Sequence, residues 1–186
     1  TIKFRRNLRL YTSFGINLYD TFNNLINTSG STIPHVRSDI QDYLSEGKNN
    51  IQRMQLEYIF SPYKDLFVRA DFGLLEEMFG GLGGEMLYRP FTKNYSLGFS
   101  LHRVKQRGYK QRFSFLDGDK KYITTTGHAS LYYDLPMGVT ATVSLGKYLA
   151  GDKGGTLDLS RRFHSGFTLG IFATKTNLSA EEFGEG

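Results

Sequence analysis

Residues 122–177 alternate apolar with small polar side chains almost without error, and no other feature of the chain narrows its fold as far. Within 122–134 the odd positions are Ile123, Thr125, Gly127, Ala129, Leu131 and Tyr133, set against Thr124, Thr126, His128, Ser130 and Tyr132. Residues 138–148 repeat this with Val139, Ala141, Val143 and Leu145 against Thr140, Thr142, Ser144 and Gly146. Residues 167–175 do so with Phe167, Leu169, Ile171 and Ala173 against Thr168, Gly170 and Thr174. Side chains of a strand point to opposite faces with period two, so each segment has one apolar and one polar face. The pattern predicts a half-buried antiparallel sheet. Whether protein or lipid buries the apolar face decides what the chain does.

Upstream the same period continues. Strands are expected at 8–19, 52–60, 66–75, 85–89 and 95–103, and 156–162 adds another between the later arms, giving about nine. A long polar connection, 20–50, is expected to hold a short helix near 39–45, because Ser38 and Gln41 have capping-box spacing. Residues 61–65 and 90–94 carry prolines and read as tight turns, whereas 76–84 reads as a glycine-rich connection. The basic stretch 103–121 is expected to be an excursion in which Phe113 and Phe115 extend a strand. On this reading long and short connections alternate, which gathers the short turns at one end of an antiparallel meander. Transmembrane β-barrels have that asymmetry.

The two faces support the same expectation. Tyr58, Phe60, Tyr88, Tyr95, Tyr133, Phe163 and Phe167 fall on the apolar face near the short turns, where an interfacial aromatic girdle belongs. The polar face carries Arg9, Arg53, Glu57, Arg69, Asp71, Glu85, Arg89, His102, Asp158 and Arg162. Charges are inexpensive in a wet lumen and costly in a protein core. The expected fold is therefore all-β, an antiparallel up-and-down transmembrane β-barrel, with this chain an incomplete segment of a larger barrel. A soluble barrel or sandwich also alternates and is the alternative, but it needs no aromatics grouped at one rim.

Composition excludes several chemistries. The chain has no cysteine, so disulfides, thiolate metal sites and cysteine nucleophiles are ruled out. Its 23 Lys and Arg are interleaved with 18 Asp and Glu for a net charge of +5, which is no nucleic-acid footprint. No apolar run approaches the ~18–20 residues of a membrane helix. Asp152–Thr156, reading DKGGT, resembles a phosphorylated-aspartate loop but is read as a glycine turn. Gly80–Gly84 lacks the Lys-Ser/Thr of a phosphate loop. Glu76, Glu77 and Glu85 have no spacing that fixes a cation, and His35, His102, His128 and His164 are scattered, so no metal and no cofactor is expected. Glu57 and Asp71 share a face, where a glycosidase pair would stand ~5–10 Å apart; a structural charge ladder is the preferred reading. The basic loop 103–112 offers contacts to lipopolysaccharide phosphates or an anionic polymer.

Three long blocks carry a family resemblance: RADFGLLEEMFGGLGGEMLYRP at 69–90, TGHASLYYDLP at 126–136 and GKYLAGDKGGTLDLSRRF at 146–163. IPHVRSDI at 33–40 and TNLSAEEFGEG at 176–186 fit the same pattern. Together they resemble the YjbH-like outer-membrane proteins of exopolysaccharide and capsule gene clusters. The resemblance implies a bacterial outer-membrane barrel that assists secretion or assembly of an extracellular polysaccharide, without catalysis, as a polar conduit or scaffold. Implied partners are outer-membrane lipid and lipopolysaccharide, the polysaccharide itself, and periplasmic export proteins. A carbohydrate-active enzyme working from the lumen and a soluble sugar-binding β-protein are the competing functions.

Overall fold

The computed structural model describes residues 1–3, 7–18, 34, 36–37 and 39–183. Most of the 20–50 connection, with His35 and Ser38, lies outside these. The described chain forms one antiparallel sheet of ten strands in strict sequence order. They are β1 (Ile2–Lys3), β2 (Leu8–Ile16), β3 (Asn49–Tyr63), β4 (Leu66–Leu74), β5 (Phe79–Tyr88), β6 (Tyr95–Gln106), β7 (Ile123–Leu135), β8 (Val139–Lys147), β9 (Lys153–Arg162) and β10 (Thr168–Thr176). Helix α1 (Ile40–Glu46) precedes β3, and α2 (Ala180–Phe183) follows β10. The sheet is an up-and-down meander, and β1 and β10 are its two edges rather than a closing pair.

Two expectations are corrected. A tenth strand, β1, pairs with β2 through Ile2↔Leu10 and Lys3↔Arg9. The glycine-rich 76–84 stretch is no connection: β5 starts at Phe79, pairs along its full length with β4 and β6, and leaves only 75–78 as the turn. The third connection is therefore tight, and Arg89 falls in the turn after β5. One end of the sheet still carries only short links, at 64–65, 89–94, 136–138 and 163–167, while the other carries 17–48 and 107–122. Within the short turns Asp65 and Met137 adopt left-handed backbone, at φ 63° and 62°.

Register brings the apolar side chains into continuous rows. Leu10, Leu56, Phe72 and Leu82 are cross-strand neighbours, as are Leu97, Leu131, Val143 and Leu157. Yet this face is the exposed one: Leu101 is 63%, Leu145 61% and Ile171 70% accessible. Across the middle of the sheet the buried positions are polar, with Gln55 at 2% and Glu57 and Asp71 at 5%, whereas the buried apolar strand residues Leu74, Phe79 and Val104 lie at its long-loop end. A water-soluble sheet protein has the opposite distribution.

A small apolar core sits on the polar side, at the end that carries the long loops. Tyr43 of α1, Met78, Phe79 and Val104 are buried there, and Val36, Leu75, Tyr109, Tyr122 and Leu149 pack around them. Tyr43 and Tyr109 meet edge to face at 5.1 Å. These segments form a roof over one end of the polar face.

Arg107 fixes that roof. It is fully buried and donates to six backbone carbonyls: Nη1 to Gln52, Glu76 and Glu77, and Nη2 to Ile51, Gln111 and Arg112, at 2.7–3.4 Å. Its own carbonyl accepts the Tyr43 hydroxyl at 2.5 Å. Burial pulls the Arg107 guanidinium below its ordinary range and pushes the Tyr43 hydroxyl up to about 12.

Candidate functional site

The polar face owes its geometry to register. One cross-strand row runs Arg9, Glu57, Asp71, Gly83, His102 and Thr126 across β2 to β7. The next row toward the short turns holds Arg69, Glu85, Ser100 and His128. Alternation alone puts these residues on one face; the two-residue turn at 64–65 sets which of them meet.

Arg69 is the centre. Its Nη2 lies 2.7 Å from Glu85 Oε1, its Nη1 3.6 Å from Glu57 Oε1, and its Nε 3.7 Å from Asp71 Oδ2. His102 Nε2 reaches the same Asp71 oxygen at 3.3 Å. It can do so because Gly83 lies between the two strands: a Cβ there would overlap the imidazole Cδ2 and sit 2.5 Å from Cγ. At Gly146 a Cβ would meet first the Gly127 carbonyl oxygen and then the ring of His128, which meets Tyr148 edge to face at 4.8 Å. Rings lying flat across glycines of the neighbouring strand cover the backbone that those glycines leave bare.

A cavity of about 380 Å³ opens between this network and the roof. Arg53, Gln55, Arg69, Asp71, His102, Val104, Thr126 and His128 line its floor. Arg37, Leu75, Glu76, Phe79, Tyr148 and Leu149 line its upper side. Arg37 is neutralised by Glu76 at 2.8 Å. Arg53 donates through Nε to Gln55 at 2.7 Å, and its guanidinium lies 5.5 Å from the Tyr11 ring centroid. Beyond the cavity, hydroxyls continue the polar track. Tyr148 meets Thr156 and Thr156 meets Thr174, each at 2.7 Å, while Ser130 meets Ser144 at 2.8 Å.

Of the charged residues singled out from sequence, the fold thus brings Glu57, Arg69, Asp71, Glu85 and His102 together, with Arg9 and Arg53 beside them. It does not bring in the rest. Arg89 faces Asp134 at 3.7 Å in an exposed pair between two short turns. Asp158 lies opposite Thr142 and Phe172, and Arg162 ends β9 opposite Thr168.

The seven aromatics lie toward the short-turn end. Tyr58 and Phe60 are 5.4 Å apart, Phe163 and Phe167 5.8 Å, Tyr95 is the cross-strand partner of Tyr133, and Tyr88 ends β5. Of the acidic trio considered for a cation, Glu85 sits on β5 with Arg69 and Glu76 pairs with Arg37. Among the described residues no group of three or more His, Asp and Glu is placed to hold a metal ion. Sequence reasoning missed Arg107, Tyr43, Tyr148 and the role of Gly83. The signal for Gly83 was present, since Phe79, Gly81, Gly83, Glu85 and Leu87 keep the period-two register through the glycine run.

Comparison with known proteins gives a consistent picture. A family model described as "Exopolysaccharide biosynthesis protein YbjH" matches residues 1–186. The chain is 38% identical over 177 residues to the "Uncharacterized lipoprotein YjbH" of Escherichia coli strain K12, a match that covers 91% of this chain and 24% of that protein. The chain thus spans about a quarter of the curated relative's length. No solved structure matches it. By the extent of the family match and the identity to this relative, the chain belongs to the YjbH family of exopolysaccharide biosynthesis proteins.

Proposed function

We propose that this chain is a segment of an outer-membrane β-barrel that assists secretion or assembly of an extracellular polysaccharide. The observation that carries the reading is the inverted sheet, with leucines, isoleucines and phenylalanines exposed on one face and Glu57, Asp71 and Gln55 buried on the other. Lipid is the solvent that stabilises such an apolar face. Burying ~25 cal/mol per Å² of apolar surface makes the exposed rows untenable in water at this extent. Strands β2 to β10 run 9 to 15 residues, and a tilted strand needs ~9–11 to cross a bilayer. No helix among the described residues is long and apolar enough to cross. The aromatics toward the short turns fit one interface of the membrane. The relative's description as a lipoprotein fits membrane attachment.

On this reading the polar face lines the lumen and the role is passive. Hydroxyls and the balanced network around Arg69 offer a polymer weak, replaceable hydrogen bonds along a wet wall. Glu57 and Asp71 both lean on Arg69, the arrangement of an ion-pair ladder, whereas glycoside cleavage asks one carboxyl to stand as a proton donor at the scissile bond. Lipopolysaccharide, the exported polymer and periplasmic export proteins are the partners proposed.

The test uses the absence of cysteine from this segment. Lys153→Cys, toward the long-loop end, and Met137→Cys, in a short turn, are introduced separately into the full-length protein, and intact cells are treated with a membrane-impermeant thiol reagent. Labelling at 153 but not at 137, in the outer-membrane fraction, is expected. Labelling of both only after lysis, with the protein soluble, would refute the reading.

A further inference from the structure

We infer that Lys147, Lys153 and Lys175 form a site on the apolar face of the sheet for the phosphate groups of an outer-leaflet glycolipid, an assignment that rests on the outer-membrane reading above and places one of its partners. Charge is divided unevenly between the two faces. Among the described residues of β2 to β10, Glu57, Asp71, Glu85, Asp134 and Asp158 all fall on the polar face. The apolar face carries six charges, and every one is a cation: Arg103, Lys105, Lys147, Lys153, Arg161 and Lys175. Arg103 stands opposite Leu82, Lys147 lies two positions beyond Leu145, and Lys175 two beyond Ala173. Five of the six lie at the long-loop end. Arg161 is at the short-turn end, where its guanidinium covers the Phe163 ring at 4.6 Å.

Three of these cations stand together with no counter-charge. Lys147 and Lys153 are direct cross-strand partners, and Lys175 stands opposite Gly155, the next position along that face from Lys153. Direct partners hold their Cβ atoms ~4.5–5.5 Å apart and diagonal neighbours lie ~7–8 Å apart, distances at which like charges destabilise a sheet. Lys105 is answered by Asp117 at 2.7 Å. Among the described residues no carboxylate pairs with Lys147, Lys153 or Lys175. Asp152, beside Lys153 in the chain, is buried. The basic stretch 103–112 offers less, because Arg107 is buried under carbonyls and Lys105 is paired. From the trio toward the short turns run the exposed Leu145, Leu157 and Ile171. An occupant of this surface therefore carries negative charge at one end and hydrocarbon at the other. Lysine fits both ends, its stem lying along apolar surface while its ammonium reaches the headgroups. Three neighbouring ammonium groups match a headgroup with more than one phosphate. Long loops mark the outer end of a membrane barrel, where lipopolysaccharide supplies that headgroup.

The experiment takes the full-length protein in an uncharged detergent and counts bound lipid by native mass spectrometry. The probes are diphosphorylated lipid A and the same lipid stripped of its phosphates. The diphosphorylated form is expected to bind at least about tenfold more tightly, and about a tenfold excess of sodium phosphate should not displace it. A lysine near a charged lipid surface contributes roughly a fivefold gain, so the triple variant Lys147→Gln, Lys153→Gln, Lys175→Gln should bind about a hundredfold more weakly. The corresponding triple Lys→Arg variant keeps the charge and should bind within about twofold of the parent. Lys64→Gln, Lys93→Gln and Arg161→Gln together remove the same charge at the short-turn end and should leave binding unchanged. If the triple Gln variant does not fold, Lys153→Gln alone decides, with a loss of about fivefold.

Unchanged binding by the Gln variant, or equal binding of the stripped lipid, overturns the site. Equal weakening by the short-turn variant overturns it too, since net charge then suffices, and ready displacement by sodium phosphate makes it an anion site without a lipid. The two readings fail separately. Absent lipid binding in a protein that thiol labelling places in the outer membrane removes only the lipid site. Lysine-dependent binding by a protein found soluble keeps the site and removes the conduit.

Discussion

Gly83→Ala is expected to destabilise the protein although it adds a single methyl group to a strand. The new Cβ would overlap His102 Cδ2, stand 2.5 Å from Cγ, and stand 2.7 Å from the Leu101 carbonyl oxygen. The imidazole has to swing away, and its 3.3 Å contact with Asp71 goes with it. A hydrogen bond to a charged, buried partner contributes about 1.5 kcal/mol at the lower end of its range. Holding the ring off its preferred rotamer costs about 1 kcal/mol more. Against this, alanine recovers about 0.5–1 kcal/mol of the backbone entropy that glycine loses in a strand. The net loss is about 1.5–2 kcal/mol, read as a shift in the urea midpoint of the full-length protein in lipid vesicles. A double-mutant cycle isolates the cause. In a His102→Ala background the ring is gone, only the Leu101 oxygen at 2.7 Å is crowded, and Gly83→Ala should cost clearly less than it does with the ring in place. Additivity of the two changes within about 0.5 kcal/mol would refute the argument, because it would mean that His102 does not lie across Gly83.

Phe99→Arg, on the exposed apolar face of β6, is expected to cost about 2–4 kcal/mol of stability in vesicles if that face meets lipid. A change within about 0.5 kcal/mol, as for a watered surface, would count against the barrel. Arg107→Met removes the donor that six backbone carbonyls share, of which Gln111 keeps the Ile51 N–H, and should cost about 3 kcal/mol or open the roof outright. Arg107→Lys should fail similarly, since one ammonium cannot span acceptors on three segments; limited proteolysis within 107–122, with the sheet still heat-modifiable, measures both. The Tyr43 hydroxyl, pushed up to about 12 by burial, stabilises the roof in its neutral form. That contribution is complete below pH 10 and is lost as pH rises through about 12. Proteolytic sensitivity of 107–122 should rise across that window and stay flat in Tyr43→Phe.

Alternation made most of the sheet legible. Strands such as β7 and β8 announce both faces because every second residue carries hydropathy. The signal failed at Phe79–Tyr88, where four glycines carry none; what holds that strand is side chains arriving from its neighbours, His102 above all. The charged face was legible as a set but not as a network. Parity places Asp158 and Arg162 on the same face as Asp71, and only cross-strand register separates the residues that touch from those that do not. Arg107 was indistinguishable from its basic neighbours in 103–112. Its partners Ile51, Gln52, Glu76 and Glu77 lie outside any local window, and a cation surrounded by distant carbonyls leaves no mark on the residues beside it.

The six carbonyls around Arg107 also impose an order of events on folding. They come from β3, from the β4–β5 turn and from the 107–122 loop, so no subset of neighbouring segments can satisfy the guanidinium. Until β3 through β6 are zipped in register, burying that cation is uphill, and the loop gains more by staying in water. The meander, whose contacts link consecutive strands, can assemble by local hairpin closure; the roof cannot. Its closure acts as a checkpoint that registers four correctly paired strands, and a slipped register in this part of the sheet would leave its long-loop end open.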